Sequence, residues 1–465
     1  MKIPQILIDS LQDVKGFDAK AFIEAHEQDK IPASIRLNPF KLVDTLNFEI
    51  TDDNPFSEFG KYVNNLPCFN ADPLFHAGTY TVQEANSMSL EYVLRNTVDL
   101  SKDLRILDLC ASPSGKNTHI ASLITPESIL VSNEVISTRS DILADNMTKL
   151  GTMNTIVTSN DPKDFGKLTG FFDVVIIDPP NSGSGLFRKN PEAIKDWSLE
   201  NVALFAQKQK RIIADAWACL KDGGILIYST SSYSPAENEE VMDWVKKKYG
   251  ATAPQSVGRP APEGGAFSSK FCRTLESKVP PLGVEGAFRF YPSDSGEGFF
   301  ISVIKKTNSE KETYVRSGRP IKNNSRRTQR EVFRPWIEDI DNYNWYDVKD
   351  EFFLIDAEHE YLVNVLQSYL HIRKAGVKMG KIAGKDLIPD HQLALSLYLS
   401  ENINRVELTE EEAMKYLRRE EFTLDQAQKG WSLMTFENFG LGWAKILPNR
   451  INNYFPKELR INGKS

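Results

Sequence analysis

The chain has 465 residues, about three times the common size of one domain, so several domains are expected. Hydrophobic residues make up 41% and charged residues 26%, a globular balance that excludes collagen-like and wholly disordered chains. A formal net charge of −7 excludes nucleic-acid binding by bulk charge and leaves that role to a local patch.

The opening, MKIPQILIDSLQDVKG, lacks the form of a secretory or transit leader, and no apolar run nears the roughly 18 residues of a membrane-spanning helix. A cytoplasmic location without membrane contact is expected. Residues 1 to about 80 read as mostly helical, with Ile6, Leu7, Leu11, Phe17, Phe22 and Ile23 at mixed helical spacing. From Leu104 the pattern becomes alternating strand and helix. The runs RILDLC, ILVSNE, TIVTSN, FDVVIID and GILIYSTSS predict buried parallel strands, near-continuously apolar because helices cover both faces. Helices are predicted over Lys116–Leu123, Ser137–Leu150, Glu200–Leu220 and Ala236–Lys248. AFRFY and GFFISVIKK predict an antiparallel hairpin across SDSGEG. The fold class is α/β, a doubly wound Rossmann-like sheet with an antiparallel edge.

A basic run follows. Between Lys305 and Arg334 stand ten Lys or Arg and three Glu, including Arg326, Arg327 and Arg330. It reads either as a solvated linker or, with Tyr314, Phe333 and Trp336 interleaved, as an RNA contact in which bases stack beside cations. Beyond about 340 come one or two small α+β modules, with helices around Glu358–Arg373 and Glu410–Arg419 and strands in WSLMTFE and LGWAKIL.

Four acids stand at successive strand ends: Asp108, Glu134, Asp161 and Asp178. One such acid is more often a cap or turn residue, but four favour a nucleoside cofactor, because carboxylates there can accept ribose hydroxyls. The turn CASPSGK, residues 110–116, offers backbone N–H groups at a helix start, yet is neither a GxxxxGK[ST] nor a GxGxxG motif. Cys68, Cys110, Cys219 and Cys272 lie far apart, so neither a disulfide framework nor a metal site is expected.

Taken together, SIRLNP at 34–39, PLFHAGTYTVQEANSM at 73–88, CASPSGK, NE at 133–134, Asp161, DPPNSGSGLFRKNP at 178–191, YSTSSYSPAENE at 228–239, GKDLIPDHQLALSL, GLGWAK and NNYFPKELR form an ordered set. That set resembles the S-adenosylmethionine-dependent RNA cytosine-C5 methyltransferases of the Sun/Fmu type, in particular the multidomain RsmF-like ribosomal RNA enzymes. The resemblance implies a class I methyltransferase fold, with an α+β RNA-binding region over 1–80, the methyltransferase domain over 81–306, the basic linker over 307–340 and PUA-like RNA-binding modules over 341–465. It implies S-adenosylmethionine held by Cys110, Ala111, Ser112, Pro113, Ser114, Gly115, Lys116, Glu134, Asp161 and Asp178. Ribosomal RNA is the implied partner, with Arg36, Arg188, Arg326, Arg327, Arg330, Lys445, Lys457 and Arg460 as its contacts. A monomer is expected.

The sequence departs from the resemblance where the chemistry lies. Such enzymes add a thiolate to carbon 6 of cytosine, which makes carbon 5 nucleophilic enough to take a methyl group. The implied nucleophile position holds Ser231, and the second cysteine position, after Asp178 and Pro180, holds Asn181. A serine needs an adjacent base, and none of His26, His76, His119, His359, His371 or His391 is placed beside Ser231 by sequence. Ser114 stands where a glycine is usual. Three readings follow: an RNA methyltransferase with altered chemistry; an RNA-binding pseudoenzyme; or, from Asp178-Pro179-Pro180-Asn181, an exocyclic-amino methyltransferase lacking the usual stacking aromatic.

Overall fold

The structure, a computed structural model, describes residues 3–28, 33–64, 68–254, 286–293, 295–307, 326–424 and 428–461. Tyr314 and Cys272 lie outside them.

The N-terminal region opens with helices Gln5–Leu11 and Ala19–Glu27, the second capped by Asp18, which accepts from Ala21 N at 3.0 Å. Their apolar faces pack on Phe187, Trp197 and Tyr233, so they brace loops at the mouth of the large sheet. Four short strands follow: β1 (Ala33–Leu37), β2 (Ile50–Asp53), β3 (Gly60–Val63) and β4 (Tyr80–Val82), in the order β2-β3-β1-β4. The expectation of a mostly helical region is therefore corrected. Strands of three to five residues carry too little alternation to register against the helical spacing around them.

The central sheet has the predicted strands: β5 (Arg105–Asp108), β6 (Ile129–Asn133), β7 (Thr155–Thr158), β8 (Phe172–Ile177), β9 (Leu220–Thr230), β10 (Ala287–Phe290) and β11 (Phe299–Lys305). β5 pairs in parallel with both β6 and β8, so the connection reverses on either side of it, and ligands of such sheets bind at the carboxyl ends beside that reversal. Alternate residues feed two cores. Leu107, Val131 and Val175 enter one, and Ile106, Leu130 and Val174 the other. β10 and β11 form the expected antiparallel hairpin against β9.

An eighth strand, Ile372–Ala375, closes the far edge by pairing antiparallel with β7. The helix predicted over Glu358–Arg373 instead runs Ala357–Gln367, and the chain after it belongs to the methyltransferase sheet. Two four-stranded sheets complete the C-terminal half, one built from strands between Asn344 and Pro389 and one from strands between Arg405 and Asn453.

The described end of the basic run is not a solvated linker. Arg326–Phe333 is a helix, with Phe333 fully buried at 5.5 Å from the Trp345 ring. Trp336 meets Trp443 at 5.4 Å. Phe333 is thereby withdrawn from base stacking, whereas Trp336 is only partly buried.

Lys41 joins the three regions. Its buried ammonium donates to Ala77 O, Lys149 O and Leu395 O at 2.9, 2.8 and 2.7 Å. Burial and nearby Lys149 pull it down to about 7.

A second buried knot links β1 to the methyltransferase domain. Glu91 accepts from Ser57 Oγ at 2.6 Å, His119 Nε2 at 2.9 Å and Arg95 Nη2 at 2.9 Å, with Arg36 Nη2 at 3.8 Å. Burial, then Arg36, hold His119 down to about 4. The unfolded chain therefore takes up a proton below about 6.5 that the folded protein refuses until about 4. Stability is expected to fall across that window by up to about 1.4 kcal/mol per pH unit from this group. Urea titrations at pH 7, 5.5 and 4.5 check it, and His119→Gln should flatten the fall.

Candidate active site

The four acids converge on the carboxyl ends of β5 to β8. Asp108 ends β5 and is buried, accepting from Asn117 Nδ2 at 2.5 Å. Burial pushes it up to about 7; Asp178 and Glu134 add to the rise, while Lys116 and Asn117 oppose it. After β8, Asp178 pairs with Lys116 Nζ at 2.5 Å. Burial alone would lower Lys116, but the Asp178 carboxylate raises it. Gly115 opens the helix Lys116–Ala121 at φ +86, a left-handed conformation, with a Cβ there lying 3.1 Å from Val82 O.

After β6, Glu134 accepts from Ile136 N at 2.9 Å and pairs with Arg139 Nε at 3.2 Å. Arg139 also donates to Ser112 Oγ at 3.0 Å, spanning from this acid to the 110–116 turn. Asp161 caps the helix Pro162–Phe165, accepting from Lys163 N at 3.1 Å. Ser114 Oγ is buried and among the described residues has no hydrogen-bond partner. Cys110 is half-buried, its thiol pushed up by burial and by Asp108, and it is no activated nucleophile.

Ser231 and Asn181 come together although 50 residues apart in sequence: Ser231 Oγ donates to Asn181 Oδ1 at 3.4 Å. Asn181 Oδ1 also accepts from Gly183 N at 3.1 Å. The loops are clamped, since a Cβ on Gly185 would sit 1.9 Å from Ser231 O. Asn181 is a neutral acceptor and takes no proton from Ser231. His119 is engaged at both ring nitrogens by Gln83 and Glu91, and the hydrogen bond of Ser231 Oγ goes to Asn181 and not to a histidine.

Sequence reasoning missed the residue that organises these loops. Glu237 is buried and accepts from Ser182 N (2.8 Å), Ser182 Oγ (2.6 Å), Ser232 Oγ (2.5 Å) and Gln209 Nε2 (3.1 Å). Gln209 also donates to Pro180 O at 3.1 Å. Glu237 lies within YSTSSYSPAENE, but its partners are set by tertiary contact.

Of the cations expected at RNA, two are interior. Arg36 belongs to the Glu91 knot, and Arg188 is buried, donating to Ser293 O at 3.1 Å beside Glu297. Arg330 pairs with Asp341 at 3.2 Å and lies over Trp345. Lys457 and Arg460 are exposed, and Lys445 is partly exposed, 5.3 Å over Trp431.

Residues 95–305 match the family of 16S rRNA methyltransferases RsmB/F, and residues 403–461 match the methyltransferase RsmF PUA domain. Ribosomal RNA small subunit methyltransferase F of Shewanella woodyi is 30% identical over 397 residues, which cover 82% of this chain and 79% of that protein. The chain belongs to the RsmF family. The Escherichia coli O9:H4 protein of the same name is 28% identical over 402 residues, covering 83% of this chain and 79% of that one. The structure of NSun6 from Pyrococcus horikoshii, solved with SFG, shares the fold, with a TM-score of 0.52 over 65% of this chain and 98% of that one at 18% identity. In this RsmF-family chain, residues 306–402 lie between the two matched stretches and hold the strand that closes the sheet. Among the described residues no helix is long and apolar enough to cross a membrane, and no cluster of three His, Cys, Asp or Glu could hold a metal ion.

Proposed function

We propose that this protein is an S-adenosylmethionine-dependent methyltransferase of ribosomal RNA that does not use covalent addition to cytosine. The observation carrying the first half is that Asp108, Glu134, Asp161 and Asp178 stand at the carboxyl ends of four adjacent parallel strands, with Asp178 paired to Lys116 and Glu134 linked through Arg139 to Ser112 of the 110–116 turn. S-adenosylmethionine supplies an activated methyl group when bound. The residues present fit it: Glu134, just after β6, can accept ribose hydroxyls, and Asp161, after the neighbouring strand, can accept from the adenine amino group. The unpartnered Ser114 Oγ and the close approach allowed by Gly115 suit a ligand lying against the turn. Lys116 pairs with Asp178 beside the loop carrying Pro180 and Asn181. Arg139 must yield or share Glu134 when the ribose binds.

The second half rests on Ser231, whose hydroxyl donates to a neutral amide. With neither thiolate nor base, addition to carbon 6 is closed. The same observation favours a second reading, an RNA-binding protein that transfers no methyl group. Mass spectrometry of ribosomal RNA nucleosides from cells with and without the gene separates the two. Loss of one methylated nucleoside establishes transfer and identifies the atom; unchanged nucleosides select the binding role.

Lys457 and Arg460 are exposed and free to meet RNA phosphates, which supports a contact role for them. Changing both to Ala is expected to reduce the slope of log affinity against log salt by about 1.4, at roughly 0.7 per single-strand contact. An unchanged slope removes them from the interface.

A further inference from the structure

The strand Ile372–Ala375 comes from the C-terminal half, more than two hundred residues beyond the strand it pairs with. Pairing alone would explain it as cover for an open sheet edge. Its start does more. His371 N donates to Asn160 Oδ1 at 2.9 Å, and His371 O accepts from Asn160 Nδ2 at 3.2 Å and from Ser159 N at 3.1 Å. Asn160 is thereby bracketed, with both ends of its amide used. Asn160 N donates to Asn133 Oδ1 at 3.0 Å, and Asn133 Nδ2 returns to Asn160 O at 3.0 Å and to Leu109 O at 3.1 Å. Asn133 O accepts from Ala111 N at 2.8 Å. One unbroken set of hydrogen bonds thus runs from His371 to the tips of β7, β6 and β5. The next residues in sequence are Asp161 after Asn160, and Glu134 after Asn133.

A second contact is independent of that set. The register of the pairing shifts between Ile372 and Lys374, and such a shift re-aims a side chain. Arg373 forms an ion pair with Asp141, on the helix Ser137–Leu150 that also carries Arg139, the partner of Glu134.

We propose that His371, Arg373 and Asn160 are positioning residues of the cofactor site, and that the C-terminal half and the cofactor are therefore energetically coupled. The inference rests on the S-adenosylmethionine reading above. Without the bracket, Asp161 and Glu134 keep their strands but lose the fixed spacing between their tips.

Calorimetric titration of the full chain with sinefungin, a non-reactive analogue of S-adenosylmethionine, tests it. Asn160→Ala is expected to weaken sinefungin binding about tenfold, within the usual range of coupling between sites, with RNA affinity unchanged. Arg373→Asp, an exposed change, should weaken it about threefold, and adding Asp141→Arg should restore it. Sinefungin affinity equal to the unaltered protein in both single variants overturns the coupling while leaving the cofactor reading intact. Absence of binding in the unaltered protein at millimolar sinefungin overturns the cofactor reading, and the coupling with it. If Asn160→Ala does not fold, the Arg373→Asp pair and its rescue decide alone.

Discussion

Incubated with RNA containing 5-fluorocytidine, the protein is expected to form no covalent adduct, whereas the double variant Ser231→Cys, Asn181→Cys is expected to trap most of its RNA. With S-adenosylmethionine present, addition at carbon 6 is followed by methyl transfer to carbon 5. The fluorine there cannot leave as a proton does, so the elimination that would free the enzyme is blocked and the complex survives a denaturing gel. A thiol of pKa near 8.5 is a few per cent thiolate at neutral pH, while a serine hydroxyl without a base is essentially un-ionised. The positions are already in contact, with Ser231 Oγ 3.4 Å from Asn181 Oδ1, so two sulfurs would face one another in one pocket. Replacing Asn181 by the smaller Cys also frees room beside the tight Gly185–Ser231 contact. Ser231→Cys alone should give adduct slowly, because its thiol would still face the Asn181 amide. An adduct with the unaltered protein would overturn the reading of a closed covalent route. Failure of the double variant would mean the pocket has diverged beyond these two side chains.

The second large effect is on stability. Glu91→Ala is expected to cost about 3–5 kcal/mol in unfolding free energy, because it strands the buried Arg36 guanidinium and leaves Ser57 and His119 without their acceptor. Burial alone would raise Glu91, but His119, Arg36 and Arg95 bring it down to about 2, so the carboxylate is charged throughout the physiological range. Its stabilising effect is complete above about 4.5 and disappears as pH falls toward 2. Glu91→Gln keeps shape and one acceptor, and should cost less. Urea unfolding at pH 7.5 measures both, and equal stability of Glu91→Ala and the parent would show the knot to be dispensable.

The central sheet was legible because β5, β6, β7 and β8 are buried on both faces and write near-continuous apolar runs. The strand-tip acids were legible for the same reason, since the end of each run marks the tip. What sequence could not show was partnership. Arg36 and Arg188 read as surface residues by type, yet each is interior because a distant residue completes it: Glu91 and Ser293 respectively. The residues after Gln367 read as more helix because their pairing partner, β7, lies in another domain. Glu237 and Asn160 carried no periodic signal. Their importance comes from how many hydrogen bonds they accept or bridge, which is a tertiary property.

The borrowed edge strand also sets a timetable for synthesis. At roughly 5–20 residues per second, β7 emerges from the ribosome about 10–40 s before Ile372–Ala375 follows it. Through that interval the nascent domain has a sheet rim with unsatisfied amides and carbonyls, the geometry on which neighbouring chains nucleate. A polypeptide ending at residue 356 would carry that rim permanently, and should scatter markedly more light than the full chain at equal concentration.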